Sequence, residues 1–163
     1  MMGVAAALAL AAGGAHAHGD ERHGKSAKQK PMSMSMEEHA FGRQGDPAKA
    51  TRTIRIDMSD AMRYSPAEIR VKQGETVKFV VRNGGKVMHE MVIGTMKELR
   101  EHGEMMKKFP NMEHDEPYMA HVAPGKSEEI AWTFTQAGEF HFGCLVPGHF
   151  DAGMIGRIVV AGK

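Results

Sequence analysis

The sequence predicts an all-β sandwich carrying one helical insert. Three observations predict it. Between residues 51 and 163, apolar and polar residues alternate in about seven short runs, the period of half-buried strands. Asn83-Gly84-Gly85 and Ala137-Gly138 punctuate those runs as turns. A single segment, residues 95–108, switches to helical spacing.

In chain order, Ile54, Ile56 and Met58 share one parity and form the first predicted strand. Ile69 and Val71 mark a second. Val77, Phe79 and Val81 mark a third, which ends at the Asn-Gly-Gly turn. His89, Met91 and Ile93 share the inward parity of the next strand. Thr95-Met96-Lys97-Glu98 then reads as a capping box, with Thr95 as N-cap and Glu98 reaching back to it. A helix from there to about Lys108 places Met96, Leu99, Gly103 and Met106 on one stripe, and Phe109-Pro110 ends it. Residues 110–121 form an irregular excursion rich in Met and His, followed by a strand near Val122. Ile130, Trp132 and Phe134 alternate next. Phe140, Phe142 and Cys144 follow, and Ile155 to Val160 closes the domain. Strands this short and numerous suggest an antiparallel sandwich.

A chain of 163 residues suits one domain. Its 21 Lys and Arg are balanced by 20 Asp and Glu, so it lacks the basic face of a nucleic-acid binder. Residues 3–15 are an uncharged Ala/Leu/Gly run, and Ala15-His16-Ala17 reads as a small-residue cleavage site before a polar stretch. That is the pattern of a signal peptide over residues 1–17, although no Lys or Arg precedes the apolar run. The run is too short for stable membrane insertion. Cleavage after Ala17 would deliver the mature chain to the periplasm. Residues 18–50 read as a mobile tail containing Met32, Met34 and Met36, and residues 51–163 as the folded domain. In an oxidising compartment the single Cys144 is a free thiol, one half of an intermolecular disulfide, or a metal ligand.

The strongest motif is Cys144-x4-His149-x4-Met154 at the end of a strand, with His89 on an earlier strand. One thiolate, two imidazoles and a thioether are the ligand set of a type 1 copper site, where the thioether is a weak axial ligand. Cys144 shares the inward parity of Phe142, and Pro147-Gly148 lets the chain reverse so that His149 faces back toward the sulfur. A buried structural thiol is one alternative reading. A zinc site is another, although zinc prefers four strong ligands and has no use for a methionine.

At these residues the chain resembles the cupredoxins, the blue-copper proteins that include plastocyanin and azurin. The likeness spans roughly residues 52–163. It includes Gly74-Glu75-Thr76-Val77, Trp132-Thr133-Phe134, Gly138-Glu139-Phe140 and the whole 144–154 loop. The resemblance implies a Greek-key β-sandwich with copper held by His89, Cys144, His149 and Met154. His89-Glu90-Met91-Val92-Ile93 and the Met112-Glu113-His114 excursion look most like exported bacterial cupredoxins of copper tolerance. One position departs: carriers of the plastocyanin and azurin kind usually have Asn after the first His ligand, where this chain has Glu90. That leaves open the usual brace of the Cys loop and the colour and potential of the site.

The remaining sulfur and imidazole suggest secondary copper binding at Met112, His114, Met119 and His121, and in the tail at Met32, Met34 and Met36, since Cu(I) is soft and accepts thioethers. His102 and His141 read as solvated. Two functions remain open. One is copper handling in tolerance, with Cu(I) bound and oxidised. The other is one-electron transport between a redox partner such as a c-type cytochrome and an oxidase or reductase. A monomer is expected in either case. A multicopper enzyme would need more than one such domain, and this chain has one Cys. No hydrolytic triad or phosphate-binding glycine loop is present.

Overall fold

The computed structural model describes residues 37–110, 112 and 114–163. The cleavage-site reading and Met32, Met34 and Met36 lie outside the described residues. Eleven strands are present: β1 (Glu38–His39), β2 (Gly42–Gln44), β3 (Arg52–Ser59), β4 (Arg63–Ser65), β5 (Glu68–Lys72), β6 (Thr76–Asn83), β7 (His89–Gly94), β8 (Met119–Val122), β9 (Ser127–Thr133), β10 (Gly138–Gly143) and β11 (Ile155–Ala161). One helix, α1 (Met96–Lys108), lies between β7 and β8. No helix among the described residues is long and apolar enough to cross a membrane.

The strands form two sheets, ordered β1-β2-β9-β6-β3-β4 and β5-β11-β10-β7-β8. Two pairs, β3 with β6 and β5 with β11, run parallel, so the sandwich is mixed rather than purely antiparallel. The parallel pairs arise because β4 and β5 carry the chain across from one sheet to the other.

Alternation decides what meets between the sheets. Val77, Phe79 and Val81 on β6, and Ile130 and Trp132 on β9, face Ile69, Val71, Phe142, Ile158 and Val160 across one continuous core. Strand β7 is different, with all six residues buried. Of its odd-numbered residues, Met91 and Ile93 join the sandwich core and His89 is buried beside them, while Val92 joins Leu99, Met106, Met119 and Leu145 in a second cluster beneath α1. The helix therefore covers the face that a two-layer sandwich leaves to solvent. Its N-terminus carries the expected capping box, with the Glu98 N–H donating to Thr95 Oγ1 and the Thr95 N–H donating to Glu98 Oε2.

Residues 37–50, expected in the tail, instead extend the first sheet. Strand β2 pairs with β9, and the Phe41 ring stacks on Trp132 at 5.2 Å. The Trp132 Nε1–H donates to the Phe41 carbonyl at 2.9 Å. Burying one Phe gains about 1.5–3 kcal/mol, which adds to the β2–β9 pairing in holding an otherwise polar segment.

Candidate metal centre

The first imidazole is set by a pinned loop. Asn83, fully buried at the end of β6, donates from Nδ2 to the carbonyls of Val87 and Val122, both at 2.8 Å, and its Oδ1 accepts the Gly85 N–H. Asp60, in the β3–β4 turn, accepts the Lys86 N–H with both carboxylate oxygens and lies 3.0 Å from His89 Nε2. A Cβ at Gly85 would stand 1.9 Å from Asp60 Oδ1, so only glycine admits this approach. With Nε2 engaged, the buried Nδ1 of His89 has no hydrogen-bond partner among the described residues.

The other donors come from the β10–β11 loop. Cys144 follows β10 with its side chain fully buried. Pro147-Gly148, with Gly148 at φ 88°, forms a tight reversal closed by the His149 N–H on the Val146 carbonyl at 3.0 Å, as a type II turn requires. The reversal places His149 Nδ1 3.3 Å from Cys144 Sγ. Met154 returns the chain, its N–H donating to the His149 carbonyl and its carbonyl accepting the Cys144 N–H, both at 3.1 Å. Its side chain is fully buried in the same core cluster as Cys144.

The ligand atoms of His89, Cys144 and His149 all lie within 4.8 Å of one another. The two imidazole centroids are 5.0 Å apart. The Glu90 N–H donates to the sulfur at 3.3 Å, and the Tyr64 hydroxyl donates to the Glu90 carbonyl at 2.5 Å, so both peptides flanking Glu90 are held. An unpartnered buried imidazole nitrogen, a thiol and a second imidazole at this spacing fit a metal ion. The soft sulfur among borderline nitrogens fits copper.

A family model described as copper binding proteins of the plastocyanin/azurin family matches residues 50–161. This chain belongs to that family. Among its relatives, a protein named copper-resistant cuproprotein CopI from Rubrivivax gelatinosus is 54% identical over 120 residues, covering 74% of this chain and 73% of the relative. One of the same name from Pseudomonas aeruginosa is 35% identical over 150 residues, covering 74% and 82%. The fold is similar to that of dithionite-reduced auracyanin from Roseiflexus castenholzii, with a TM-score of 0.60 and 25% identity over 69% of this chain and 98% of that one.

In this cupredoxin the protonation states suit a waiting ligand set. Burial pushes the Cys144 thiol up to about 12, opposed by the N–H groups of Glu90 and Val146. The metal-free sulfur therefore keeps its proton at neutral pH, and a cation is needed to hold a thiolate there. Burial and the neighbouring His89 lower the proton affinity of His149, which leaves its imidazole neutral.

Of the secondary residues, Met112, His114 and Met119 line a separate cavity beside α1. His121 is not among the residues that line it, and both its nitrogens are engaged elsewhere. His102, read as solvated, is half-buried with its ring centroid 4.6 Å from that of His114. His141 is likewise half-buried, 3.5 Å from Glu139. Asp60 was invisible to sequence reasoning, since no spacing connects it with His89. Glu90 stood out only as a departure. Its side chain turns to His121 Nδ1 at 3.0 Å, while its backbone still serves the sulfur. The Cys loop is braced instead from α1, where Lys107 pairs with Asp151 at 2.9 Å and Leu145 packs in the cluster with Leu99.

Proposed function

We propose that this cupredoxin is an exported copper-tolerance protein that binds copper at His89, Cys144, His149 and Met154 and withdraws it from the free periplasmic pool. Residues 1–17 would be its signal peptide, residues 18–36 a Met-containing tail, and the remainder the folded domain. The observation that carries the reading is the convergence of the Cys144 sulfur and two imidazoles at one end of the sandwich. The names of the CopI relatives support the tolerance role. When bound, the ion would supply one-electron exchange between Cu(I) and Cu(II); oxidation of captured Cu(I) would pass its electron to an external one-electron acceptor such as a c-type cytochrome.

The residues do the rest. Asp60 fixes the His89 ring, so that Nδ1 is the nitrogen offered to the metal. The Glu90 N–H stabilises negative charge on the sulfur. The hydrogen bonds linking residues 144, 149 and 154 hold the loop closed, so little rearrangement accompanies a change in charge.

Cu(II) added to the mature protein should give an intense visible thiolate-to-copper band that Cys144→Ser abolishes. A colourless complex, or colour retained in Cys144→Ser, overturns the site. A deletion strain should lose growth at raised copper while keeping its respiration rate. Val87 and Met88, each 44% exposed and adjoining His89, favour a second reading, a docking surface for electron transfer with a c-type cytochrome. Impaired respiration with unchanged copper tolerance selects that reading.

A further inference from the structure

The excursion between β7 and β8 does more than cover a sheet. Together with α1 it encloses a cavity of ≈ 370 Å³ whose lining includes His102, Met105, Met112, His114 and Met119. The Glu90 backbone donates to the Cys144 sulfur while its side chain points to His121, whose Nε2 faces the carbonyl of the cavity-lining His114.

Two imidazoles meet here with their ring centroids 4.6 Å apart. His114 Nδ1 lies 3.1 Å from the Met112 carbonyl, and a carbonyl can only accept. Nδ1 therefore carries a proton, and Nε2 is the nitrogen left to meet a metal. Donating the other ring N–H to a backbone carbonyl is how protein imidazoles are usually oriented toward metals. The His102 ring makes no hydrogen bond among the described residues, so neither of its nitrogens is committed elsewhere.

His121 has another part. Its Nε2 faces the His114 carbonyl and its Nδ1 faces the Glu90 carboxylate, each at 3.0 Å. With a partner at both nitrogens its ring is pinned, and it anchors the residue that carries the ligand ring.

The methionines complete the set. Met58, Met91 and Met154 are fully buried core residues, whereas Met105 and Met112 are 43% and 39% exposed. Thioethers left in water gain little from packing. Beside two imidazoles they form a soft donor set suited to Cu(I). Three carboxylates line the rim: Glu98 is committed to the α1 cap, Glu101 pairs with Lys97 at 3.8 Å, and Glu116 is exposed to solvent.

We propose that His102, His114, Met105 and Met112 form a second copper site, which takes Cu(I) as cargo apart from the Cys144 centre. The proposal rests on the copper-handling reading above and deepens it by giving the captured ion a place to land.

The test is anaerobic Cu(I) titration of the full mature chain against a chromophoric Cu(I) chelator. Met105→Leu/Met112→Leu and His102→Asn/His114→Asn should each lower the tightly held Cu(I) by one ion per chain. Both should still develop the visible band on Cu(II) loading, which reports the Cys144 centre separately. Cys144→Ser should retain the second ion, and the ring resonances of His102 and His114 should shift as Cu(I) is added to that variant. An unchanged Cu(I) count in both pocket variants overturns the proposal. So does loss of the second ion on replacing only Met32, Met34 and Met36, or an equal ring shift with Zn(II). Loss of the visible band in the unaltered protein refutes the Cys144 assignment and leaves the pocket titration readable by itself.

Discussion

Asp60→Ala should weaken copper binding without touching a proposed ligand. Asp60 Oδ1 lies 3.0 Å from His89 Nε2, and the same carboxylate accepts the Lys86 N–H. That backbone bond, followed by the hydrogen bond to His89, holds the carboxyl below its usual range, so it is an anion at neutral pH. Alanine removes the acceptor that fixes both the tautomer and the rotation of the ring. Outer-shell partners of metal-binding imidazoles are worth about 10–100-fold in affinity, or about 1.4–2.7 kcal/mol. Asp60→Asn keeps one oxygen for the Nε2–H and should lose less than about tenfold. Affinity is read by Cu(II) competition against a calibrated chelator. Urea unfolding of the metal-free proteins separates the cost of the lost Lys86 contacts, about 0.5–1.5 kcal/mol for each hydrogen bond. Copper affinity unchanged in Asp60→Ala, or an equal loss in both variants, would refute the argument that the carboxylate orients the ring.

Met154→Leu should retain copper and its colour but raise the reduction potential, measured by voltammetry, because losing an axial electron pair costs the more highly charged Cu(II) more than it costs Cu(I). Phe41→Ala should destabilise the domain by about 3–5 kcal/mol in urea unfolding, since the ring is 2% exposed and stacked on Trp132; a loss near zero would return residues 37–50 to the tail. The hydrogen bond to Glu90 raises the His121 pKa above 6.5. Its stabilisation is therefore fully present below the unfolded value and is lost as pH rises through the raised folded value. The Tm advantage of the unaltered metal-free protein over His121→Asn should accordingly shrink from pH 6 to pH 9, and an advantage that grows over that range contradicts the pairing.

The sheet pattern was legible because most strands alternate cleanly. The 144–154 loop was legible because its geometry is local: a Pro-Gly reversal and three backbone bonds bring residues 144, 149 and 154 together. His89 could be added from parity alone. What escaped depended on distant partners. Phe41 is a lone aromatic in a polar stretch, and its fate is decided by Trp132, far along the chain. The Glu90–His121 pair needs the β7–β8 register, which sets those two residues opposite each other across a long insert. His102 looked solvated because nothing in the helix sequence reveals that the excursion folds back over it. The parallel pairs were hidden for a similar reason, since alternation reports which face is buried and not which way a neighbouring strand runs.

Strands β7 and β8 remain hydrogen-bonded neighbours, with His89 opposite Val122, although residues 95–118 intervene. Topologically the helix and its excursion are therefore one overgrown hairpin connection. Such a connection can lengthen, shrink or change composition in descendants while the ladder beneath keeps its alignment. Selection for metal capture could thus have reshaped this appendage freely, with the geometry around the thiol inherited intact.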